Sequence, residues 1–216
     1  MRTILCFGDS NTWGFDPSTS LRFSTHQRWP GVLRQQLGNN YLVVEEGLVG
    51  RTTLRDDPLE PHKNGLAYLV PCLQSHCPID LVVLMLGSND MKRHFDLSPV
   101  AIAEGMRTLV SAVQNSACGI DLSAPKLLLL SPPPIIGLTA LADLFGGAEQ
   151  KSLELPGLYA EIATEKECWF YDAGQAICSS PTDGVHFDAD QHQKLGCMLT
   201  EKVIDILSSS TRHSVR

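Results

Sequence analysis

Residues 81–90 read LVVLMLGSND. Six apolar residues run without a polar break and stop at Gly87. A run this short and this continuous suits a strand buried on both faces, as parallel strands are. Four further runs have the same form. Thr3–Phe7 stops at Gly8, and Tyr41–Glu45 stops before Gly47. Lys126–Leu130 is stopped by Pro132-Pro133-Pro134, and the weaker Cys168–Tyr171 precedes Asp172-Ala173-Gly174. Between them apolar residues recur at helical spacing: 29, 32, 33 and 37; 102, 106, 109, 110 and 113; 195, 198, 199, 203, 206 and 207. These predict helices over 29–37, 100–113 and 191–207. A helix over 64–76 is weakened by Pro71. One over 141–163 is expected to break near Gly146-Gly147 and again at Pro156-Gly157. Alternating strands and helices predict a doubly wound α/β fold with right-handed crossovers. The chain reads as a single domain, 1–216, with 208–216 as a frayed polar tail.

The 216 residues are enough for one sizeable core. Seventeen basic against 24 acidic residues give a net charge of −7. That excludes nucleic acid and anionic membrane surfaces as partners, which need clustered Lys and Arg. The charged fraction, 19%, lies below the ~25% of ordinary domains. No apolar run reaches the length of a membrane span, and the first residues lack a secretory signal pattern. The seven Cys are scattered without a CxxC, which points to reduced thiols and a cytoplasmic setting.

In an open α/β sheet the ligand sits beyond the carboxyl ends of the strands. Polar motifs stand at those ends here: Gly8-Asp9-Ser10-Asn11, Gly47 to Arg51, Gly87-Ser88-Asn89-Asp90, and Asp183-Gly184-Val185-His186. Ser10 read alone is a helix cap. Beside a general base it is a nucleophile, with its N–H at a helix N-terminus where negative charge is favoured. The Asp183-x-x-His186 spacing lets the carboxylate accept from Nδ1–H and leaves Nε2 free as the base. The Asn89 amide, the Gly50 N–H and the Ser10 N–H offer three donors for an oxyanion. Asp9 is expected to play a structural role.

With these residues in view the sequence resembles the SGNH (GDSL-like) hydrolase family. Gly8-Asp9-Ser10, Gly50, Gly87-Ser88-Asn89-Asp90 and Asp183-x-x-His186 match its four blocks. ILCFGDSNTWGFDP, RWPGVLRQQLG, EEGLVGRTT, LMLGSND and DGVHF are similar to the bacterial aryl-esterase and acyltransferase branch. The resemblance implies a flavodoxin-like three-layer α/β/α sandwich with a five-stranded parallel sheet. It implies attack by Ser10 on an ester carbonyl, with His186 as base, Asp183 as its orienter, and Ser10, Gly50 and Asn89 as oxyanion hole. It further implies a small-molecule ester substrate, no metal or organic cofactor, acyl transfer to alcohols in some members, and a homo-oligomer. Asn11 departs from close relatives, where Leu is common, and bears on the polarity of the nearby pocket. Phe15, Ser88 and Val185 are the other expected pocket residues. Phe145 is an expected lid, with Leu138, Leu141 and Leu144 as an apolar rim.

Other readings are weaker. The G-x-S-x-G elbow fails because Thr12 stands at its last Gly. A metal enzyme built on His186, Asp183 and Asp172 is disfavoured, because the sequence has no HxH or HExxH. Cys72 and Cys178 have no evident His partner for a nucleophilic role. A non-catalytic flavodoxin-like binding protein lacks the phosphate-loop motifs it would need. Within the same family, a carbohydrate O-deacetylase or a thioesterase/lysophospholipase uses the same machinery. Asp172 is expected to hold the exit of the fifth strand. His94 is expected on a solvated face, and His192 and His213 at the surface.

Overall fold

The computed structural model describes residues 1–209. Strands β1 (Arg2–Gly8), β2 (Tyr41–Gly47), β3 (Leu81–Met85), β4 (Lys126–Ser131) and β5 (Trp169–Asp172) form one parallel sheet in the order β2-β1-β3-β4-β5. The side-chain period of two splits each central strand between two cores. Leu5, Phe7, Val82, Leu84, Leu127 and Leu129 face one side. Helices α3 (Gly65–His76), α4 (Pro99–Gln114) and α6 (Ala148–Glu165) cover it. Ile4, Cys6, Val83, Met85, Leu128 and Leu130 face the other side. There α2 (Trp29–Leu37) and α7 (Ala189–Ser208) cover it with Trp29, Leu33, Leu195, Leu199 and Val203. This is the expected three-layer sandwich. Every residue of β3 is buried, which is why its sequence carries no alternation.

Connections run to opposite sides of β1 and β3, so the strand order reverses between these two. That is the topological switch point, where open α/β sheets bind ligands. The short helix α1 (Ser10–Trp13) begins directly after β1. Asn89 begins the turn after β3.

Two sequence expectations fail, one in α6 and one at Phe145. Helix α6 follows a break at Gly146-Gly147, as expected, but runs unbroken through Pro156. Its packing holds it on both sides of the proline: Leu155 and Tyr159 are fully buried, and the Tyr159 hydroxyl donates to the Leu86 carbonyl at 3.0 Å. Helix α7 ends at Ser208, where the tail is expected to begin, and residues 210–216, with His213, lie outside the described residues. Phe145, expected as a lid, closes the short helix α5 (Ala142–Phe145) and is buried in the core beneath α6. The rim residues Leu138, Leu141 and Leu144 pack partly buried against the same core.

His192 is also misplaced by the sequence reading. It is fully buried on α7, between the rings of Phe23 and Phe187, each 5.4 Å away centre to centre. Its Nδ1 accepts the Trp29 N–H at 3.3 Å. Burial, helped by the nearby His186 and Arg28, lowers its pKa from 6.5 to about 3. Between those values the unfolded chain takes up a proton that the folded protein refuses. Stability therefore falls as pH drops through that window, by up to about 1.4 kcal/mol per pH unit from this group. His192→Asn keeps an acceptor for Trp29 but removes the titration. Its urea unfolding free energy should fall less between about pH 6.5 and 4.5 than that of the wild type. Equal slopes would contradict the assignment.

Candidate active site

Asp9 follows β1 and caps α1, its Oδ1 accepting the Asn11 N–H at 2.9 Å. This leaves Ser10 as the first helical residue, with its hydroxyl free of any capping bond. The role expected of Asp9 is thus the one observed. It is buried, and burial raises its pKa to about 6 against the opposing pull of the Asn11 N–H, His186 and Arg51.

His186 reaches Ser10 from the far edge of the sheet. The chain leaving β5 runs back over the sheet alongside the segment that follows β4. Ser179 Oγ donates to the Pro134 carbonyl at 2.9 Å, and the Ile136 N–H to the Gly184 carbonyl at 3.0 Å. At its end, residues 183–186 form a tight turn. Gly184 has φ +84°, and a Cβ there would lie 2.4 Å from the Ile136 carbonyl oxygen. Asp183 Oδ1 accepts the N–H groups of Val185 and His186, both at 2.9 Å. Its Oδ2 lies 2.6 Å from His186 Nδ1. His186 Nε2 lies 3.0 Å from Ser10 Oγ. Burial pushes the Asp183 carboxyl up, but the hydrogen bond and charge of His186 and the two N–H donors outweigh it, so the group stays below the usual carboxylate range. An ionised Asp183 fixes the tautomer with the proton on Nδ1, which makes Nε2 an acceptor for the Ser10 hydroxyl.

The candidate oxyanion donors converge from three elements. Ser10 follows β1, Asn89 follows β3, and Gly50 lies in the turn after β2 with φ +80°. Among the described residues neither the Ser10 nor the Gly50 N–H makes an internal hydrogen bond. The Asn89 amide donates to the Arg51 carbonyl at 3.2 Å, which orients its second hydrogen and ties it to the Gly50 turn. Two residues without an assigned role in the sequence reading hold this pair. Asp90, fully buried, accepts the Thr53 N–H with both oxygens at 3.0 Å and the Thr53 hydroxyl at 2.5 Å. Burial raises its pKa to about 6, opposed by those Thr53 bonds. Arg51 is buried beneath the turn and donates to the Gly8 carbonyl at 2.9 Å. The GSND block hinted at Asp90, whereas nothing local marked Arg51 as a buried brace.

The expected pocket residues divide. The Phe15 ring lies 4.2 Å from the His186 ring, as a wall of the site. Ser88 and Val185 are almost fully buried beside Asn89 and His186. Asn11 is buried too, and its Nδ2 donates to the Val185 carbonyl at 3.2 Å, so it ties the Ser10 helix to the His186 turn. Phe145 is buried in the core cluster that also holds Val185. Asp172 accepts from the Ser131 hydroxyl at 2.9 Å and the Gly174 N–H at 3.0 Å, at the exit of β5. His94 is exposed, as expected, and pairs with Asp57 at 3.2 Å. Cys72 does have a histidine beside it: His76, one helical turn on, forms a group with Cys72 and Glu46 away from Ser10.

Known proteins share this fold. An aryl esterase of M. smegmatis is 44% identical, with TM-score 0.91, covering 95% of this chain and 100% of its own. Est24, a carbohydrate acetylesterase from Sinorhizobium meliloti, is 42% identical, with TM-score 0.92 and the same coverage. A lipolytic G-D-S-L family member from Veillonella parvula shares the fold at 14% identity and TM-score 0.68, over 93% of this chain and 97% of its own. No curated protein matches the chain. The family model described as GDSL-like lipase/acylhydrolase matches residues 6–194, from within β1 into α7 and across every element that carries the site. The chain belongs to the GDSL-like lipase/acylhydrolase family.

Proposed function

We propose that the protein is a serine esterase that cleaves small acyl esters through an acyl-enzyme. The observation that carries this is the Asp183–His186–Ser10 relay, with steps of 2.6 and 3.0 Å, at the sheet's switch point. His186 Nε2 takes the Ser10 proton as Oγ bonds to the acyl carbon. The carbonyl oxygen gains the negative charge and is met by the Ser10 and Gly50 N–H groups and the Asn89 amide. His186 then returns the proton to the departing alkoxide. Water repeats the sequence on the acyl-enzyme, and Ser10 is restored. Asp183 stays ionised throughout and stabilises the imidazolium.

If Asn89 is an oxyanion donor, Asn89→Ala should lower kcat by about 10²–10³-fold and KM far less, because the donor acts mainly on developing charge. An equal loss in kcat and a matching drop in melting temperature would assign Asn89 to folding instead.

The acyl side is expected to be short. The Phe15 ring lies 4.2 Å from the His186 ring, and Ser88 and Val185, the chain neighbours of Asn89 and His186, are buried. One similar protein is an aryl esterase and another a carbohydrate acetylesterase, which supports a small ester as the substrate here. The test is hydrolysis of p-nitrophenyl acetate, butyrate, octanoate and palmitate. The expected result is a kcat/KM that falls steeply beyond butyrate. A rate that holds through octanoate would point to a thioesterase or lysophospholipase.

A further inference from the structure

Away from Ser10, β2 and α3 bring together three side chains that the esterase chemistry does not use. Glu46 leaves the end of β2 on the α3 side of the sheet. Cys72 and His76 stand one turn apart on α3, so both present to the same neighbour. Their ligand atoms and that of Glu46 lie within 4.8 Å of one another. Glu46 Oε1 lies 2.9 Å from His76 Nε2, and its Oε2 accepts the Tyr68 hydroxyl at 3.1 Å. Cys72 is buried, while Glu46 and His76 are partly exposed. Among the described residues no other trio of Cys, His and carboxylate groups is gathered this tightly.

We propose that Glu46, Cys72 and His76 form a binding site for a thiophilic divalent cation of the zinc type, distinct from the catalytic centre. The donor set is one sulfur, one imidazole nitrogen and one carboxylate oxygen, the three ligand types zinc accepts together. Tyr68 supplies the outer partner that orients the carboxylate. A cavity of about 500 Å³, lined by Glu46, Arg51, Asp56, His62 and Tyr68 among others, opens onto the Glu46 side and contains no triad residue. It reaches Glu46 but neither Cys72 nor His76, so the ion enters where Glu46 and His76 are partly exposed. Arg51 stacks over Phe7 at 4.2 Å and Tyr68 at 5.1 Å, so one positive charge lies close by. With three protein ligands and that charge, the site is exchangeable rather than a closed structural zinc centre. Binding releases the Cys72 thiol proton to water, and nothing is oxidised or reduced.

The probe is Co²⁺ alone, titrated into chelator-treated full-length protein. The expected result is one equivalent bound, with a near-ultraviolet sulfur-to-cobalt charge-transfer band, and displacement by Zn²⁺. Cys72→Ser should lose the band and weaken binding more than roughly 100-fold, the upper end of what losing an outer partner costs. His76→Ala should weaken binding but keep the band. Cys77→Ser, at the exposed thiol next to His76, should leave both unchanged. Far-ultraviolet circular dichroism checks each fold, and Glu46→Gln stands in should Cys72→Ser fail to fold. No band in the wild type, a band that survives Cys72→Ser, undiminished binding in His76→Ala or Glu46→Gln, or a band lost in Cys77→Ser would overturn the proposal.

Discussion

Ser10→Ala should reduce kcat on p-nitrophenyl acetate by about 10⁵–10⁶-fold, to what binding and the remaining donors alone supply. The reason lies in how little else the hydroxyl does. Ser10 Oγ makes its hydrogen bond to His186 Nε2. The backbone bonds at this position, from the Gly14 and Phe15 N–H groups to the Ser10 carbonyl, do not involve it. Asp9, not Ser10, caps the helix, so alanine costs no cap. The unfolding free energy should therefore change by only about 1 kcal/mol, the scale of one hydrogen bond. Steady-state kinetics and urea unfolding of the same preparation separate the two effects. Near wild-type turnover in a folded Ser10→Ala protein would remove Ser10 from the mechanism.

Asp183→Asn should cost about 10⁴-fold in kcat while leaving KM within a few-fold. The two backbone N–H groups that bind Oδ1 fix which oxygen can remain an acceptor. The amide nitrogen must then occupy the Oδ2 position, 2.6 Å from His186 Nδ1, and it brings hydrogens where the wild type brings lone pairs. The imidazole avoids two facing donors by moving its proton to Nε2. In that tautomer it cannot accept from Ser10, and no negative charge is left to steady the imidazolium. Rates across the pH range for both proteins check this. A loss of only a few-fold would show that His186 is oriented without Asp183.

Much of this architecture was legible in the chain. The five strands begin within one residue of their sequence-read positions, because each opens on a short, mostly apolar run with a glycine or proline at or soon after its end. Ser10, His186 and Asp183, read from polar motifs at strand ends, lie in that order, each within hydrogen-bonding distance of the next. What escaped reading depends on contacts between distant segments. Pro156 looks like a helix stop locally, yet buried Leu155 and Tyr159 hold α6 straight through it. Phe145 sits in a four-residue helix, too short for any periodicity to show which way it faces. His192 carried a usable signal: it lies three residues before Leu195 and seven before Leu199, on the apolar stripe of α7. Its residue type, usually a surface one, masked its position. The strand order, the Asp90–Thr53 clamp and the meeting of Glu46 with Cys72 and His76 arise only once β2 and α3 are set beside β1 and β3.

The central claim, that Ser10 is the nucleophile, is tested most directly by covalent labelling. Diethyl p-nitrophenyl phosphate is incubated with the wild type and with Ser10→Ala, and the modified peptide is sequenced by mass spectrometry. The predicted result is one diethylphosphoryl group on Ser10 of the wild type, with activity lost in proportion to labelling, and no adduct on Ser10→Ala. Inactivation of the wild type with Ser10 unmodified, or equal labelling of the alanine variant, would contradict it.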